Sequence, residues 1–257
     1  MNKPPPILDT TAAALFLDVD GTLLHIRDNP ADVAADRALV EMLQACFSKL
    51  GGAMALISGR SIAEVDRIFA PFAFPVAGAH GAELRGAGDT TTDGQHAALP
   101  EHAISALDEF ASRAEGLLVE KKQGGASLHY RRAPQLEDEC RRFVAGLLED
   151  IGAGYRLIAG KMVFEIAPAD HNKGAAIRSF MAQTPFTGRM PVFVGDDVTD
   201  EDGFRVVNEL GGISIRVGDS SQSEAQNQLP DEAAVRAWLG NAILGRQKVI
   251  TENNNLD

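Results

Sequence analysis

Ala12-Ala13-Ala14-Leu15-Phe16-Leu17 runs without a break into Asp18-Val19-Asp20-Gly21-Thr22, and this junction decides the fold. A short, wholly apolar run suits a strand buried on both faces, and its abrupt end in two acids and a glycine marks a polar loop at the strand's carboxyl end. The pattern repeats downstream. Ala53 to Ile57 runs into Ser58-Gly59-Arg60, Pro75 to Ala79 is a third apolar run, Val192-Phe193-Val194 runs into Gly195-Asp196-Asp197, and Ile213 to Val217 is a further one.

Helical patterns stand between these runs. Leu39, Met42, Leu43, Cys46, Phe47 and Leu50 recur at the spacing of one helix face, with Gly51 as the stop. Ser61 and Glu64 form a capping-box pattern for the next helix, and Thr199 is the expected N-cap after Asp197. Alternating buried strands and amphipathic helices predict an α/β fold with a doubly wound, mostly parallel, Rossmann-like sheet covered on both faces. Such sheets bind ligands beyond the carboxyl ends of their strands, near the point where strand order reverses. The loops after Leu17, Ile57 and Val194 are therefore expected to converge.

The middle of the chain reads differently. Leu117 to Tyr130 and Tyr155 to Pro168 are strand-like and flank a helical stretch, Gln135 to Glu149, after an earlier one from His102 to Ala114. This predicts an α+β cap domain over residues 101–169, inserted between two parts of a core at 1–100 and 170–257. Hinges are expected near Leu99 to His102 and Pro168 to Lys173. Trp238 and the helical stretch Asp231 to Leu244 are expected to cover the sheet.

Composition excludes several classes. The 24 Lys and Arg against 36 Asp and Glu give a net charge of −12, which repels polyanions and argues against nucleic acid and anionic membrane as partners. Cys46 and Cys140 stand far apart with no zinc-like spacing, so neither a disulfide framework nor a zinc site is indicated. His25, His80 and His129 show no zinc-helix spacing either and read as loop or core residues, with His80 also a candidate to line the pocket. The longest apolar stretch, Phe69 to Ala79, is broken by Pro71 and Pro75, and the first ten residues lack a signal-peptide core. The expected compartment is the cytoplasm.

Two carboxylates flanking a single residue, Asp18 and Asp20, suit covalent attack by one with proton transfer by the other. A carboxylate attacks an anionic phosphate poorly unless charge is neutralised, so a Mg2+ ion held by oxygen ligands is required. Asp196, Asp197 and Asp200 supply a second acidic cluster. Two like charges ~4 Å apart at an effective dielectric of ~20 repel by on the order of 4 kcal/mol, which makes a divalent cation a natural resident. The alternative for this cluster is an acidic patch favouring a helix dipole. Lys173, at the start of a helix, would offset phosphate charge, and Ser58, Thr22 and the backbone amides of Val19 to Gly21 would donate to phosphoryl oxygens.

The order of these motifs resembles that of haloacid-dehalogenase-type phosphatases: Asp18-Val19-Asp20-Gly21-Thr22-Leu23, then Ser58, then Lys173, then Gly195-Asp196-Asp197 with Asp200. Within that superfamily, Leu56 to Arg60, Gly78-Ala79-His80-Gly81, Leu128-His129-Tyr130-Arg131, Gly160 to Glu165 including Lys161, and Gly195 to Glu201 resemble trehalose-6-phosphate phosphatases. Val19 departs from the phenylalanine common there. The resemblance implies Asp18 as nucleophile and Mg2+ ligand, and Asp20 as proton donor and then base, its backbone carbonyl also on Mg2+. It implies Asp196 as the remaining protein ligand, Asp197 and Asp200 in support, and Ser58 and Lys173 holding the phosphoryl group.

Glu120, Lys122, Arg131, Lys161 and Glu165 mix both signs of charge on the two cap hairpins. Sugar hydroxyls both donate and accept, so such a mixture suits a sugar, whereas solvated cross-strand pairs are the other reading. The resemblance implies that Glu120, Lys122, Arg131 and Glu165 contact the glucose unit distal to the phosphate. The function expected is that of a monomeric trehalose-6-phosphate phosphatase, the last step of trehalose synthesis, paired functionally with a trehalose-6-phosphate synthase. Other readings are a phosphatase of another sugar or sugar-alcohol phosphate, and a non-catalytic sugar-phosphate sensor.

Overall fold

β1 (Ala13–Leu17) is buried along its whole length. Ala13, Leu15 and Leu17 enter one apolar cluster while Ala14 and Phe16 enter another, so the strand's alternation feeds two separate cores. The computed structural model describes residues 3–27, 32–86, 92–93, 99–122, 124–160, 162–219 and 222–245. Lys161, expected on the cap, lies outside the described residues.

After β1 come α1 (Arg37–Lys49), β2 (Met54–Ile57), α2 (Ile62–Phe69), β3 (Val76–Gly78), β4 (Glu83–Arg85) and β5 (Thr92–Asp93). The expected helix stripe is realised: α1 buries Leu39, Leu43 and Cys46, and the Ser61–Glu64 capping box opens α2. The C-terminal third contributes α5 (Lys173–Met181), β10 (Met190–Gly195), α6 (Glu201–Glu209), β11 (Ile213–Val217), β12 (Asn227–Leu229) and α7 (Glu232–Ala242). These strands form one eight-stranded sheet in the order β12-β11-β10-β1-β2-β3-β4-β5.

Pairing is parallel from β12 to β3 and antiparallel for β4 and β5. Core residues of α1, α2 and α7 pack on one face and those of α5 and α6 on the other, as a doubly wound sheet requires. Trp238 is buried in the first of these clusters, and its indole N–H donates to the Pro6 carbonyl at 3.1 Å. Cys46 and Cys140 are both buried and form no disulfide. The strand order reverses between β1 and β10, so the loops after Leu17 and Val194 lie side by side there.

Between the two parts run α3 (Glu101–Ser112), β6 (Leu118–Lys122), β7 (Gly125–His129), α4 (Glu137–Ile151), β8 (Tyr155–Gly160) and β9 (Val163–Pro168). The strands form a separate antiparallel sheet in the order β6-β7-β9-β8. Ala126, Leu128, Phe164 and Ile166 turn toward Leu107, Phe110, Cys140 and Val144 of the two helices, making an apolar cluster of their own. The alternate positions, Ser127, His129 and Glu165, lie on the opposite face. Among the described residues no helix is long and apolar enough to cross a membrane.

One expected cap is misplaced. Asp197, not Thr199, caps the turn after β10: its carboxylate accepts from the Val198 N–H at 2.6 Å, and Asp200 reciprocates. A single 3-10 turn over Val198–Asp200 precedes α6, and its Val198 and Asp200 N–H groups are taken by Asp197.

Candidate active site

Asp18 sits where β1 ends, 4% exposed, its N–H bonded to the Val194 carbonyl of β10 at 2.9 Å. Its Oδ1 accepts from Lys173 Nζ at 2.7 Å, and the same ammonium donates to Asp200 Oδ1 at 2.5 Å. Lys173 is the first residue of α5, presented by Asn172, whose side chain caps that helix by accepting from the Ala175 N–H. Asp18 Oδ2 is buried and has no hydrogen-bond partner among the described residues.

Asp200 acts as a bracket. Its second oxygen accepts from the backbone N–H groups of Asp196 and Asp197 at 3.0 and 2.9 Å, which fixes the loop after β10. Asp18, Asp196 and Asp200 bring one carboxylate oxygen each within 4.8 Å of the others. Both Asp200 oxygens are already occupied, so within this group Asp18 and Asp196 carry the freer ones. Burial pushes the Asp18 carboxyl well above its usual range, with Asp200 and Asp196 adding to it and Lys173 opposing. Burial and then Asp200 push Asp196 up to about 6. For Lys173 burial alone favours the neutral amine, but Asp18 and Asp200 outweigh it and hold it protonated.

These residues fit a divalent cation: Asp18 offers a buried oxygen with no partner among the described residues, and Asp196 a second carboxylate close by, the hard oxygen donors such an ion takes. Gly21 completes the cradle. It takes the left-handed region at φ +84, and a Cβ there would stand 2.1 Å from Asp196 Oδ2, so no side chain fits between the two acidic loops.

Other expected donors are partly committed. Thr22 Oγ1 donates to Asp196 Oδ1 at 3.3 Å and so aims that carboxylate instead of facing a phosphate. The Gly21 N–H, expected to be available, closes the loop onto the Leu24 carbonyl at 2.7 Å. Val19 is fully buried and its carbonyl accepts from Leu23 and Leu24, both at 3.0 Å. Ser58 is 1% exposed, and its Oγ accepts from the Arg60 N–H at 3.1 Å, which leaves the hydroxyl its own proton to donate.

A pocket of about 690 Å3 opens above Asp18, Lys173, Asp196 and Asp197, and its lining includes Asp20, Arg60 and His80 from the core, Glu120, Lys122 and His129 from the second sheet, and Arg131 from the turn after β7. Register explains the roof: Glu120 pairs with Ser127 and Ser127 with Glu165, so three strands present one polar row. Lys122 Nζ bonds Glu165 Oε2, which also accepts from Ser127 Oγ at 3.1 Å, and His129 Nε2 lies 2.9 Å from Glu120 Oε2. His80 and His129 both line this pocket; of the two, the sequence marks only His80 as a pocket candidate and reads His129 as a loop or core residue.

His80 carries the clearest strain. Ala79 and His80 both take positive φ, at 47 and 57, although neither is glycine. The ring reaches toward the cap, with Nε2 3.7 Å from Glu165 Oε1, while its Nδ1 is buried without a partner among the described residues. Burial, opposed by Glu165, lowers the imidazole to about 4. The unfolded chain takes up this proton near 6.5 and the folded one near 4, so stability falls as pH drops between those values. The loss amounts to about 2 kcal/mol by pH 5. His80→Asn, which tolerates the backbone, is expected to flatten that part of the dependence in urea midpoints measured at pH 7 and pH 5; an unchanged slope overturns the assignment.

Arg60 gets no role from a residue-by-residue reading of the sequence. It bonds both oxygens of Asp20, at 2.6 and 2.7 Å, and no local sequence signal marks a partner 40 positions away.

Residues 16–234 match the family model described as trehalose-phosphatase. A probable trehalose-phosphate phosphatase of Sinorhizobium fredii is 42% identical over 227 residues, 88% of this chain and 86% of that protein. The trehalose-6-phosphate phosphatase of Escherichia coli is 40% identical over 245 residues, 95% of this chain and 91% of that protein. The C-terminal domain of Candida albicans trehalose-6-phosphate phosphatase shares the fold, with a TM-score of 0.80 over 95% of this chain and 99% of that one at 21% identity.

Proposed function

Since this chain belongs to the trehalose-phosphatase family, and is thereby a phosphoric monoester hydrolase, we propose that it hydrolyses trehalose 6-phosphate to trehalose and inorganic phosphate through an aspartyl-phosphate. The observation that carries the mechanism is Asp18: one oxygen is held by Lys173 and the other is buried, partnerless and beside the pocket.

One carboxylate oxygen of Asp18 attacks phosphorus, the bond to the sugar's C6 oxygen breaks, and Asp20 gives that oxygen its proton. Asp20 then takes a proton from water as the water attacks phosphorus, the bond to Asp18 breaks, and phosphate leaves. Lys173 and Ser58 hold the phosphoryl oxygens throughout, the Lys173 ammonium offsetting the charge of both nucleophile and ester. Asp18, Asp196 and the backbone carbonyl of Asp20 would hold Mg2+, with Asp200 and Asp197 fixing the loop that carries Asp196. When bound, the ion neutralises phosphoryl charge.

Residues 101–169 act as a cap domain that opens for the substrate and closes over it. Glu120, Lys122, Arg131 and Glu165 contact the glucose unit distal to the phosphate. The polar row across β6, β7 and β9 supports this, because it offers donors and acceptors side by side on the face that roofs the pocket. The enzyme works as a cytoplasmic monomer downstream of the synthase that makes its substrate.

Phosphate release by the purified protein with Mg2+ tests the reading, with sucrose 6-phosphate and glucose 6-phosphate assayed alongside as rival substrates. A strong preference for the trehalose ester is expected. Glu120→Ala with Lys122→Ala should raise KM for that ester roughly tenfold or more, in line with the loss of two polar contacts. Equal activity on all three esters, or indifference to the double substitution, discards the sugar assignment and retains only the phosphatase.

A further inference from the structure

Beyond Ile57 the chain turns through Ser58-Gly59-Arg60, and the turn is tied down at both ends of Arg60. Its N–H donates to Ser58 Oγ at 3.1 Å, and its carbonyl accepts from the Ala79 N–H at 2.7 Å. The guanidinium, only 10% exposed, reaches across the pocket floor to Asp20, with Nε on Oδ2 at 2.6 Å and Nη2 on Oδ1 at 2.7 Å. Its Nη1 lies 3.9 Å from Glu64, a residue itself held by the capping box of α2. This planar fork fixes the rotation of the Asp20 carboxyl about both of its torsions, which an ammonium or a single donor does not do.

We propose that Arg60 is the positioning residue of the proton donor, aiming the Asp20 carboxyl at the leaving oxygen. The inference rests on the proposed role of Asp20 and adds to it. With both carboxylate oxygens held by one planar group, the Asp20 carboxyl keeps a single orientation toward the pocket. No residue of this description is needed for binding the phosphate, a task already met by Lys173 and Ser58.

Leaving-group dependence separates this role from a merely structural one. A sugar alkoxide needs a proton to depart, whereas p-nitrophenolate does not, and kcat/KM reports the step in which it leaves. Arg60→Gln is expected to lower kcat/KM on trehalose 6-phosphate about a hundredfold and on p-nitrophenyl phosphate less than about tenfold, as loss of acid assistance dictates. In an Asp20→Asn background, where no two-pronged grip exists, Arg60→Gln should cost less than about threefold further. Arg60→Lys keeps the charge without the fork and should behave like the Gln variant.

Because the two esters are compared within one protein sample, a partly misfolded variant leaves their ratio intact. Equal losses on both esters, full additivity with Asp20→Asn, or full rescue by Lys overturns the role given to Arg60. If Asp20→Asn itself leaves the sugar ester's kcat/KM unchanged, the fault lies with the assignment of Asp20 instead.

Discussion

Asp18→Asn is expected to lower phosphate release by roughly ten-thousandfold or more while the chain still folds. Asparagine keeps the shape of the side chain and can still receive Lys173 through its carbonyl oxygen, but its amide nitrogen is no nucleophile. Stability should move the other way from activity. Burial raises the Asp18 carboxyl in the folded protein, so above the unfolded value the folded state binds more protons than the unfolded one, and stability declines as pH rises through that window. The ionised side chain is a burden at neutral pH, and the amide removes it. Without divalent cation the variant should therefore melt no lower than the parent. Added Mg2+ should raise the parent's Tm, because binding to the folded state alone stabilises it, and should raise the variant's less. Substantial turnover by the purified variant would falsify the nucleophile assignment, and an equal Mg2+ response in both proteins would remove Asp18 from the metal's ligands.

Lys173→Met carries the second large effect, and here folding suffers too. The Lys173 side chain is buried and lies between the equally buried side chains of Asp18 and Asp200. Deleting it leaves buried like charges facing each other, a change that costs about 3–5 kcal/mol when one partner of a buried pair is lost. For a chain of this size that corresponds to a fall in Tm on the order of 10 °C. Turnover should vanish as well, since the phosphoryl group loses its counter-charge. Adding Asp200→Asn to Lys173→Met should recover part of the lost stability by removing one uncompensated carboxylate, but no activity. If the single variant melts like the parent, the triad is not the electrostatic keystone of the site.

Much of this is legible in the sequence. β1 could be read because a run buried on both faces has no polar position to spare, and the acids that end it have nowhere to go but a loop. The hairpins of the second sheet were visible as strand-like stretches, and its register then follows from alternation: once Leu128 and Phe164 face the helices, Ser127 and Glu165 must face away. What stayed hidden depended on partners distant in sequence or on competition between equals. Arg60 looks like any surface arginine until Asp20 is folded against it. Thr22 has a hydroxyl suited to a phosphate, yet Asp196 is nearer. Asp197 and Thr199 are both good caps, and only the extra 3-10 turn chooses between them. β4 and β12, three residues each, are too short for periodicity to register at all.

The neighbour of β1 on one side is β10, with Ala13 against Met190 and Leu17 against Val194. A ribosome that has just released β1, β2 and the helix between them has made the attacking carboxylate but neither the strand nor the lysine that it will sit beside; Lys173 is 155 positions away. The nascent N-terminal part presents an unpaired, wholly apolar strand edge throughout that interval, which is the kind of surface that chaperones cover and aggregates exploit. Loop closure over such separations also places the chain among slow folders, in which non-local strand pairing sets the pace. A truncation that stops short of Gly195 would therefore cost more than a terminal domain: it would leave the centre of the sheet without one wall.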